Sequence, residues 1–243
     1  LALIQHPEFK ADMFQGVRLT MSGGAPLPVS LVQQYHDAGI VLQQGFGMSE
    51  AAPSIATLPK THALEKAGSI GRAVFHLEAR IVDDSMHELP RGQVGELVIR
   101  GPNLMQGYWN RPAATADSFT DGWFHTGDLA RMDTDGDMYI VERKKDMFIS
   151  GGENVYPAEV ENAIYELPQI AENAVVGIAD ERWGEVGKAF VVLKPGQKLE
   201  PNEILVHLKD RLAKYKIPKQ VAFLDQLPRN AAGKVLKMVL REK

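Results

Sequence analysis

The sequence contains no cysteine among its 243 residues. This absence excludes disulfide bonds, thiolate metal ligands and a cysteine nucleophile, so any thiol chemistry needs a thiol that a substrate brings. A chain without disulfides is typical of the cytoplasm, and we expect a cytoplasmic location. The sequence also has no run that approaches the roughly 18 consecutive apolar residues of a membrane-spanning helix, and no secretory signal is visible.

An excess of positive charge is also missing. The chain carries 27 Lys and Arg residues against 31 Asp and Glu residues, a net charge of −4. This balance argues against a nucleic-acid partner held by bulk charge. Hydrophobic residues make up 44% and charged residues 24%, as in globular proteins with one or two domains. The chain opens on Leu1 rather than on methionine, and we expect it to be part of a longer protein.

Residues 1–67 predict part of an α/β subdomain. Apolar spacing predicts helices over Leu1–Phe14 and Val29–Ala38, and extended runs at Val17–Met21 and Ile40–Gln43. Each extended run leads into a glycine-rich segment. The alternation predicts an α/β sheet with both glycine-rich turns at one of its edges.

In the rest of the chain the predicted secondary-structure pattern changes twice. Residues 68–144 predict a β-rich subdomain, with strands at His76–Val82, Val94–Arg100, Leu129–Met132 and Met138–Glu142, the last two joined by a hairpin at Asp135-Gly136. Residues 145–243 predict a small α+β domain, with helices at Pro157–Leu167 and Asn202–Leu212 and strands at Ala174–Ile178, Ala189–Leu193 and Val221–Leu224. The predicted fold class is therefore α/β plus α+β, with a joint in the charged run 142–146.

Two glycine-rich segments are the first candidates for a binding site. Ser22-Gly23-Gly24-Ala25-Pro26 would let a flat ligand approach the backbone, although a tight turn explains the same residues. Gly45-Phe46-Gly47-Met48-Ser49-Glu50 adds an aromatic ring that could cover a base, a hydroxyl for a phosphate and a carboxylate for Mg²⁺. The alternative for this second segment is a loop with a helix N-cap at Ser49.

Acidic residues after turns give two further candidates. Asp128 follows Thr126-Gly127, and an acid at a strand edge can accept two ribose hydroxyls, although a turn-capping aspartate is equally ordinary. The segment Arg131–Gly136 imitates a calcium loop. Its first ligand position is an arginine, however, so we interpret the segment as a hairpin.

The last candidates are basic or glycine-rich. Lys234 follows an Asn-Ala-Ala-Gly loop, which suits a cation that meets a developing anion but also an ordinary surface lysine. The run Arg143–Asp146 is either functional or a solvated face. Behind it, Ser150-Gly151-Gly152 indicates close approach by something extended.

Taken in order, these motifs resemble the adenylate-forming enzymes, and most of all the C-terminal portion of bacterial long-chain and medium-chain fatty-acyl-CoA synthetases. The Ser-Gly-Gly-Glu-Asn form at 150–154 points to that branch. The resemblance extends over most of the chain, in the segments Ser22–Pro26, Gly45–Glu50, Gly95–Leu97, Gly107–Trp109, Trp123–Leu129, Arg143–Pro157, Tyr215–Pro218 and Pro228–Lys237. It implies the end of a large domain followed by a small mobile lid.

The resemblance implies a two-step ligase reaction with a fatty acid, Mg²⁺-ATP and coenzyme A. A carboxylate attacks the α-phosphate of ATP, and the thiol of coenzyme A then displaces AMP from the acyl-adenylate. Lys234 would neutralise charge at the α-phosphate and Lys145 would be the hinge. The other implied roles are Gly23, Gly24, Ala25, Pro26, Gln44, Gly45, Phe46 and Gly47 at the adenine and acyl pocket, Ser49 at phosphate, Glu50 at the metal, Asp128 at the ribose with Arg143 beside it, and Ser150, Gly151 and Gly152 on the pantetheine path.

Two departures from the family pattern set limits. The family's Ser/Thr/Gly-rich pyrophosphate loop is not in this sequence, so we expect this chain alone not to form adenylate efficiently. Plant-type coumarate ligases carry lysines at the positions of Ile149 and Gly151, so their coenzyme A contacts do not transfer. An aryl-CoA ligase and a non-catalytic nucleotide-binding module stay open as alternatives, as do peripheral membrane contact and oligomeric state.

Overall fold

The computed structural model describes residues 3–4, 6–24, 27–230 and 233–243. The chain divides into two compact units, Leu1–Ile140 and Val141–Lys243. The division falls between Ile140 and Val141, just before the charged run 142–146. Across the described ranges, no helix has both the length and the apolar character needed to cross a bilayer.

The first sheet of the first unit contains one parallel pair of strands. Strands β1 (Thr20–Ser22) and β2 (Leu42–Gly47) run parallel and are connected by helix α1 (Val29–Asp37). Antiparallel strands β3 (Ser54–Thr57) and β4 (Arg72–Ala73) complete the order β1-β2-β3-β4. Helix α1 buries Leu31, Val32 and Tyr35. The helix, its boundaries and the βαβ connection match the α/β pattern of the sequence.

The second sheet is antiparallel and forms the β-rich part of this unit. Its order is β5-β6-β8-β7, with β9 paired to β8. Leu97, Ile99 and Phe124 are among its fully buried core residues. The elements are β5 (Glu78–Val82), β6 (Val94–Arg100), helix α2 (Pro112–Asp117), β7 (Phe119–Thr120), β8 (Trp123–Met132) and β9 (Met138–Arg143). The predicted hairpin between β8 and β9 is present.

The second unit is a five-stranded sheet with helices, as the sequence predicted for an α+β domain. The strand order is β11-β10-β13-β12, and β14 lies parallel to β13. Its core joins α3 and α4 to β12 and β13 through residues such as Ile164, Val191 and Ile204. The elements are β10 (Phe148–Ser150), β11 (Glu153–Val155), α3 (Pro157–Tyr165), β12 (Ile170–Asp180), β13 (Gly184–Leu193), α4 (Pro201–Lys209), β14 (Gln220–Phe223) and α5 (Lys237–Arg241).

The predicted helix over Leu1–Phe14 is wrong for the described residues. Only Ala11–Phe14 is helical there, as a single 3₁₀ turn. The apolar spacing reflects burial without a helix, because Phe9 packs on Phe14 and on Tyr35 of α1. Short helices gain their stability from packing along a whole face, and the described residues of this segment pack through Ile4, Phe9 and Phe14, which do not form such a face. Further 3₁₀ turns lie at Ser49–Ala51, Lys60–His62 and Lys214–Lys216.

Two glycine segments have a secondary structure that the sequence analysis did not predict. Gly45-Phe46-Gly47 lies inside β2, with an irregular register after Phe46. A Cβ on Gly47 would lie 1.7 Å from the Pro53 carbonyl oxygen, so the strand requires glycine there. Gly151 and Gly152 have φ of +62° and +87° and turn the β10–β11 hairpin, which the sequence analysis did not predict.

Candidate nucleotide-binding and catalytic site

The two glycine-rich segments of the first unit lie side by side at the ends of β1 and β2. Ser22 of β1 is in register with Gln44 of β2, and a Cβ on Gly23 would lie 3.2 Å from the Gly45 carbonyl oxygen. Gly24 has φ of +84°, a conformation that favours glycine. The backbones of the two segments therefore approach each other closely at this edge. Ala25 and Pro26 lie outside the described residues.

Gln44 carries a buried polar group at this edge. Its side chain is 7% exposed, and its Oε1 accepts no hydrogen bond from the described residues. The neighbouring Gln43 is different, because its Nε2 donates to the Leu58 carbonyl at 2.9 Å. Buried amide oxygens usually have a partner, so Oε1 of Gln44 is an acceptor suited to an amino group of a ligand.

Phe46 follows on the same strand but is only partly available. Its ring is half-buried and packs against the core of the β-rich part together with Met48. The ring that was predicted to cover a base is therefore already held in place by core contacts. Gly47 is the last residue of β2 and leads through Met48 into the Ser49–Ala51 turn.

The carboxylate of Glu50 is oriented by a distant segment. The Tyr108 hydroxyl donates to Oε1 of Glu50 at 3.0 Å, and the Met105 N–H donates to the Glu50 carbonyl at 2.8 Å. Asn103 anchors the same segment by donating to the Ala51 carbonyl at 2.7 Å. Burial, and then the bond to Glu50, raises the pKa of Tyr108. Tyr108 therefore stays a donor at neutral pH and holds the carboxylate in one direction.

The donor set fits a magnesium ion bound together with phosphates. Within the described ranges no three His, Cys, Asp or Glu residues are grouped to hold a metal. Mg²⁺ is commonly held by one or two carboxylates plus substrate phosphates, and Glu50 supplies one such carboxylate beside the exposed Ser49.

Asp128 lies within strand β8 rather than at the turn that the sequence suggested. Its residue is 3% exposed, and its N–H donates to Oγ1 of Thr126 at 3.1 Å. Gly127 has φ of +70°, and the register of β8 against β6 is irregular here. This is a β-bulge, a device that re-aims a side chain within a paired strand. Strand pairing on both sides of the bulge explains why a Thr-Gly turn signal lies in a strand.

A small polar network supports the bulge from β6. Glu96 accepts the Gly127 N–H at Oε1 over 3.2 Å, and its Oε2 lies 3.3 Å from Nδ1 of His125. Nε2 of His125 in turn lies 2.9 Å from the Thr120 hydroxyl. The sequence analysis gave neither His125 nor Glu96 a role. The only signal for Glu96 was its place in the family segment Gly95-Glu96-Leu97.

In the second unit, Lys234 extends from a backbone held at its base. The Asn230 N–H donates to the Lys234 carbonyl at 2.9 Å, and the Lys234 N–H donates to Oδ1 of Asn230 at 2.9 Å. Gly233 has φ of +81°, and Arg229 donates to its carbonyl. The Lys234 residue itself is exposed. The loop therefore offers a cation on a defined backbone; Ala231 and Ala232 lie outside the described residues.

The candidates near the joint lie in turns of the second unit. Arg143 ends β9, and its carbonyl accepts the N–H groups of Asp146 and Met147 at 2.9 and 3.2 Å. Lys145 is exposed in this turn. Further on, the Gly151 N–H donates to the Trp183 carbonyl at 2.9 Å.

The glycine at the tip of the β10–β11 hairpin packs closely on an aromatic ring. A Cβ on Gly151 would lie 2.7 Å from the Trp183 ring, so this position needs glycine. Ser150, one residue earlier, is buried at 4% exposure, whereas Gly152 is exposed.

Two family models match the chain. The model described as AMP-binding enzyme matches residues 1–109, and the model described as AMP-binding enzyme C-terminal domain matches residues 159–234. The chain belongs to the AMP-binding enzymes. The segments that carry the sequence resemblance extend through both matched regions.

Relatives of this AMP-binding enzyme differ in the acid that their names give. A feruloyl-CoA synthase of Amycolatopsis sp is 47% identical over 242 residues, covering 100% of this chain and 49% of the relative. A long-chain-fatty-acid–CoA ligase of Mycobacterium tuberculosis is 44% identical over 238 residues, covering 98% and 47%. The chain spans about half the length of the curated relatives it matches. The narrower resemblance to fatty-acyl-CoA synthetases is therefore only one of the resemblances present.

A solved structure confirms the mixed α/β fold class. The o-succinylbenzoate CoA synthetase of Bacillus subtilis, in complex with its acyl-adenylate intermediate, superposes with a TM-score of 0.87 at 40% identity. The match covers 93% of this chain and 46% of that chain. The fold is therefore that of the corresponding part of an adenylate-forming enzyme.

Proposed function

We propose that this AMP-binding enzyme is part of an AMP-forming ligase that joins a carboxylic acid to coenzyme A. A carboxylate oxygen attacks the α-phosphorus of ATP and pyrophosphate leaves, giving an acyl-adenylate. The thiol sulfur then attacks the acyl carbon, AMP leaves and the thiol proton is released. The observation that carries the proposal is the hydrogen bond from Tyr108 to Glu50, which fixes the direction of one carboxylate in the turn that follows β2.

The first unit would bind the nucleotide. The close backbone approach at Gly23 and the buried acceptor of Gln44 suit an adenine ring that approaches edge-on. Ser49 would contact a phosphate, and Glu50 would hold Mg²⁺, which when bound offsets the negative charge of the phosphates. Asp128, re-aimed by its bulge, would accept the ribose hydroxyls.

The second unit would supply the mobile part of the machinery. Lys234 would neutralise the charge that develops at the α-phosphate during adenylate formation. Arg143 would contact the nucleotide, and rotation about Lys145 would exchange the two reaction steps. The hairpin turn at Gly151 and Gly152 would line the path of the pantetheine arm. The support for these roles is the family membership together with the exposure of Lys234 and the tight hairpin.

The proposed acid has two candidate classes. A fatty acid is favoured by the Ser-Gly-Gly-Glu-Asn segment at 150–154 and by the fatty-acid ligase among the relatives. An aromatic acid is favoured by the feruloyl-CoA synthase and by the succinylbenzoate enzyme among the similar structures. The two reaction steps are the same for both classes of acid, because only the carboxylate reacts.

A panel of carboxylic acids tests the proposal. The full-length protein is incubated with ATP, Mg²⁺, coenzyme A and short-chain, long-chain or aromatic acids, and AMP release is measured. We expect AMP release with one class of acid and its loss in Glu50→Gln, while Glu65→Gln, an exposed carboxylate elsewhere in the same unit, keeps the activity. The absence of AMP release with every acid would contradict the ligase proposal.

A further inference from the structure

Helix α5 contacts the charged segment 142–146 on both sides of Lys145. Nζ of Lys237 lies 3.7 Å from Oε2 of Glu142, on the N-terminal side of Lys145. Nη2 of Arg241 donates to the carbonyl of Lys145 itself at 3.2 Å, and it lies 3.7 Å from Oδ1 of Asp146, on the C-terminal side of Lys145. Lys237 and Arg241 are four residues apart, so both side chains come from one face of the helix. We call these two residues and their contacts the C-terminal clamp.

On the Lys237 side of the clamp the side chains are largely buried, and the ammonium group contacts two carboxylates. The side chains of Lys237 and Glu142 are 16% and 7% exposed, and Nζ of Lys237 also lies 2.9 Å from Oε1 of Glu161. Burial alone would lower the pKa of Lys237, but Glu161 and Glu142 offset it and the pKa is raised. A buried charge is tolerated only with such partners. Lys237 is therefore charged and fixed in place.

Glu142 connects the clamp to the backbone of the hinge. Its Oε1 accepts the Arg143 N–H at 2.9 Å, and its Oε2 accepts the Ala158 N–H at the start of α3 at 2.8 Å. Burial raises the pKa of Glu142, and Lys237 counteracts this effect. The charged segment therefore differs from a solvated surface run, because its first carboxylate is buried and bound from three directions.

The clamp is also adjacent to the candidate catalytic lysine. Helix α5 begins at Lys237, three residues after Lys234. Between them, the Leu236 N–H donates to the Pro228 carbonyl at 2.8 Å, which ties the start of the helix to the base of the lysine loop. A shift of the hinge segment that moved α5 would therefore also move the backbone that carries Lys234.

We propose that Lys237 and Arg241 are positioning residues that hold the hinge segment in one rotational state and couple it to Lys234. The proposal rests on the proposed ligase function. Rotation about the backbone dihedral angles of Lys145 carries its carbonyl, Asp146 and helix α5 together and moves them relative to Glu142, so the Lys237–Glu142 contact must break whenever the hinge moves. Arg241 keeps α5 attached to the segment that follows the hinge. The clamp therefore stabilises one of the two states that the reaction alternates between, and its loss changes the balance between the two steps.

Amide hydrogen exchange tests the clamp without any assay of activity. The amides of Asp146 and Met147, bonded to the Arg143 carbonyl, report on opening of the hinge turn. We expect their exchange in Arg241→Gln to be about fivefold faster than in wild type, and Arg241→Lys to lie between the two. Arg211→Gln is the matched control, because Arg211 pairs with Glu166 away from the hinge. Unchanged exchange in Arg241→Gln, or an equal rise in Arg211→Gln, would overturn the proposal.

The two half-reactions of the full-length protein give the second readout. Arg241→Gln is expected to change the ratio of adenylate formation to thioester formation, with little change in Tm. A fall of both rates by the same factor would assign Arg241 a merely structural role and contradict the positioning role. If wild type has no ligase activity, the proposed function fails, whereas the exchange experiment still decides whether the clamp holds the hinge turn.

Discussion

The hydroxyl of Tyr108 donates a hydrogen bond to the carboxylate of Glu50 over 3.0 Å, across 58 positions of sequence. This contact sets the direction of the carboxylate that is proposed to hold Mg²⁺. It matters because loss of a residue that orients a metal ligand typically lowers metal affinity or activity about 10–100-fold. Tyr108 is thus expected to act through Glu50 rather than on the substrate.

Tyr108→Phe keeps the ring and removes only this hydrogen bond. In the full-length protein we expect the Mg²⁺ concentration for half-maximal ATP–pyrophosphate exchange to rise about tenfold, the low end for loss of such a supporting contact. Tyr139→Phe is a suitable control, because Tyr139 contacts Asp133 elsewhere in the same unit. An unchanged Mg²⁺ requirement in Tyr108→Phe would show that the bond does not position a metal ligand.

Lys234→Ala removes the exposed cation of the C-terminal loop. Adenylate formation by the full-length protein is expected to fall on the order of 10²-fold or more, the loss typical of one transition-state donor. Transfer to coenzyme A from preformed acyl-adenylate is expected to be far less affected. Lys209→Ala, at the exposed end of α4, serves as the control. Equal losses in both half-reactions would argue against this role for Lys234.

Lys145→Pro fixes the φ angle at the proposed hinge. Because proline restricts φ to about −65°, rotation is expected to be impaired, so thioester formation falls more than adenylate formation. Lys145→Ala removes the same charge but keeps the backbone free, and it is expected to retain both rates. The hinge assignment would not survive a thioester rate that is the same in Lys145→Pro and wild type.

Lys66 ties the β8–β9 hairpin to the preceding segment through two carboxylates. Its Nζ lies 2.8 Å from Oδ2 of Asp133 and 2.6 Å from Oδ2 of Asp135. Burial tends to raise the pKa of Asp133, but Lys66 and backbone donors lower it below its usual value. A lowered carboxyl pKa contributes stability that is present above the unfolded pKa, near 4, and is lost as the pH falls through the folded pKa.

Lys66→Met should therefore lower Tm most at neutral pH, and its difference from wild type should shrink below pH about 4 as the Asp133 carboxylate becomes protonated. Thermal unfolding followed by circular dichroism across this pH range measures the effect. Lys60→Met, an exposed lysine in the same unit, is expected to unfold like wild type. A Tm difference that stays constant with pH would mean that Lys66 does not act through these carboxylates.

The sequence predicted the elements whose signals are local. Helix α1 ends where Gly39 adopts a positive φ, and the β8–β9 hairpin turns at Asp135-Gly136, so in both places neighbouring residues were sufficient. The helix predicted over Leu1–Phe14 was wrong because apolar spacing records burial, and Phe9 is partly buried through a contact with distant Tyr35. Thr126-Gly127 was interpreted as a turn because glycine is common in turns, whereas the pairing of β8 with β6 keeps Gly127 in a strand.

The candidate site divides in the same way. Glu50 and Lys234 were singled out from their own motifs, because glycine and charge occur together there. Tyr108 and Arg241 were not, because each acts on a residue far away in the sequence. No local pattern distinguishes a tyrosine that orients a carboxylate from one that lies on the surface, so the three-dimensional arrangement was required.

Acid-dependent exchange of pyrophosphate into ATP, measured on the full-length protein without coenzyme A, tests the ligase account most directly. The account predicts exchange with an accepted carboxylic acid and its loss in Lys234→Ala, because adenylate formation precedes the thiol. Thioester formation accompanied by release of ADP, with no exchange under any acid, would contradict it.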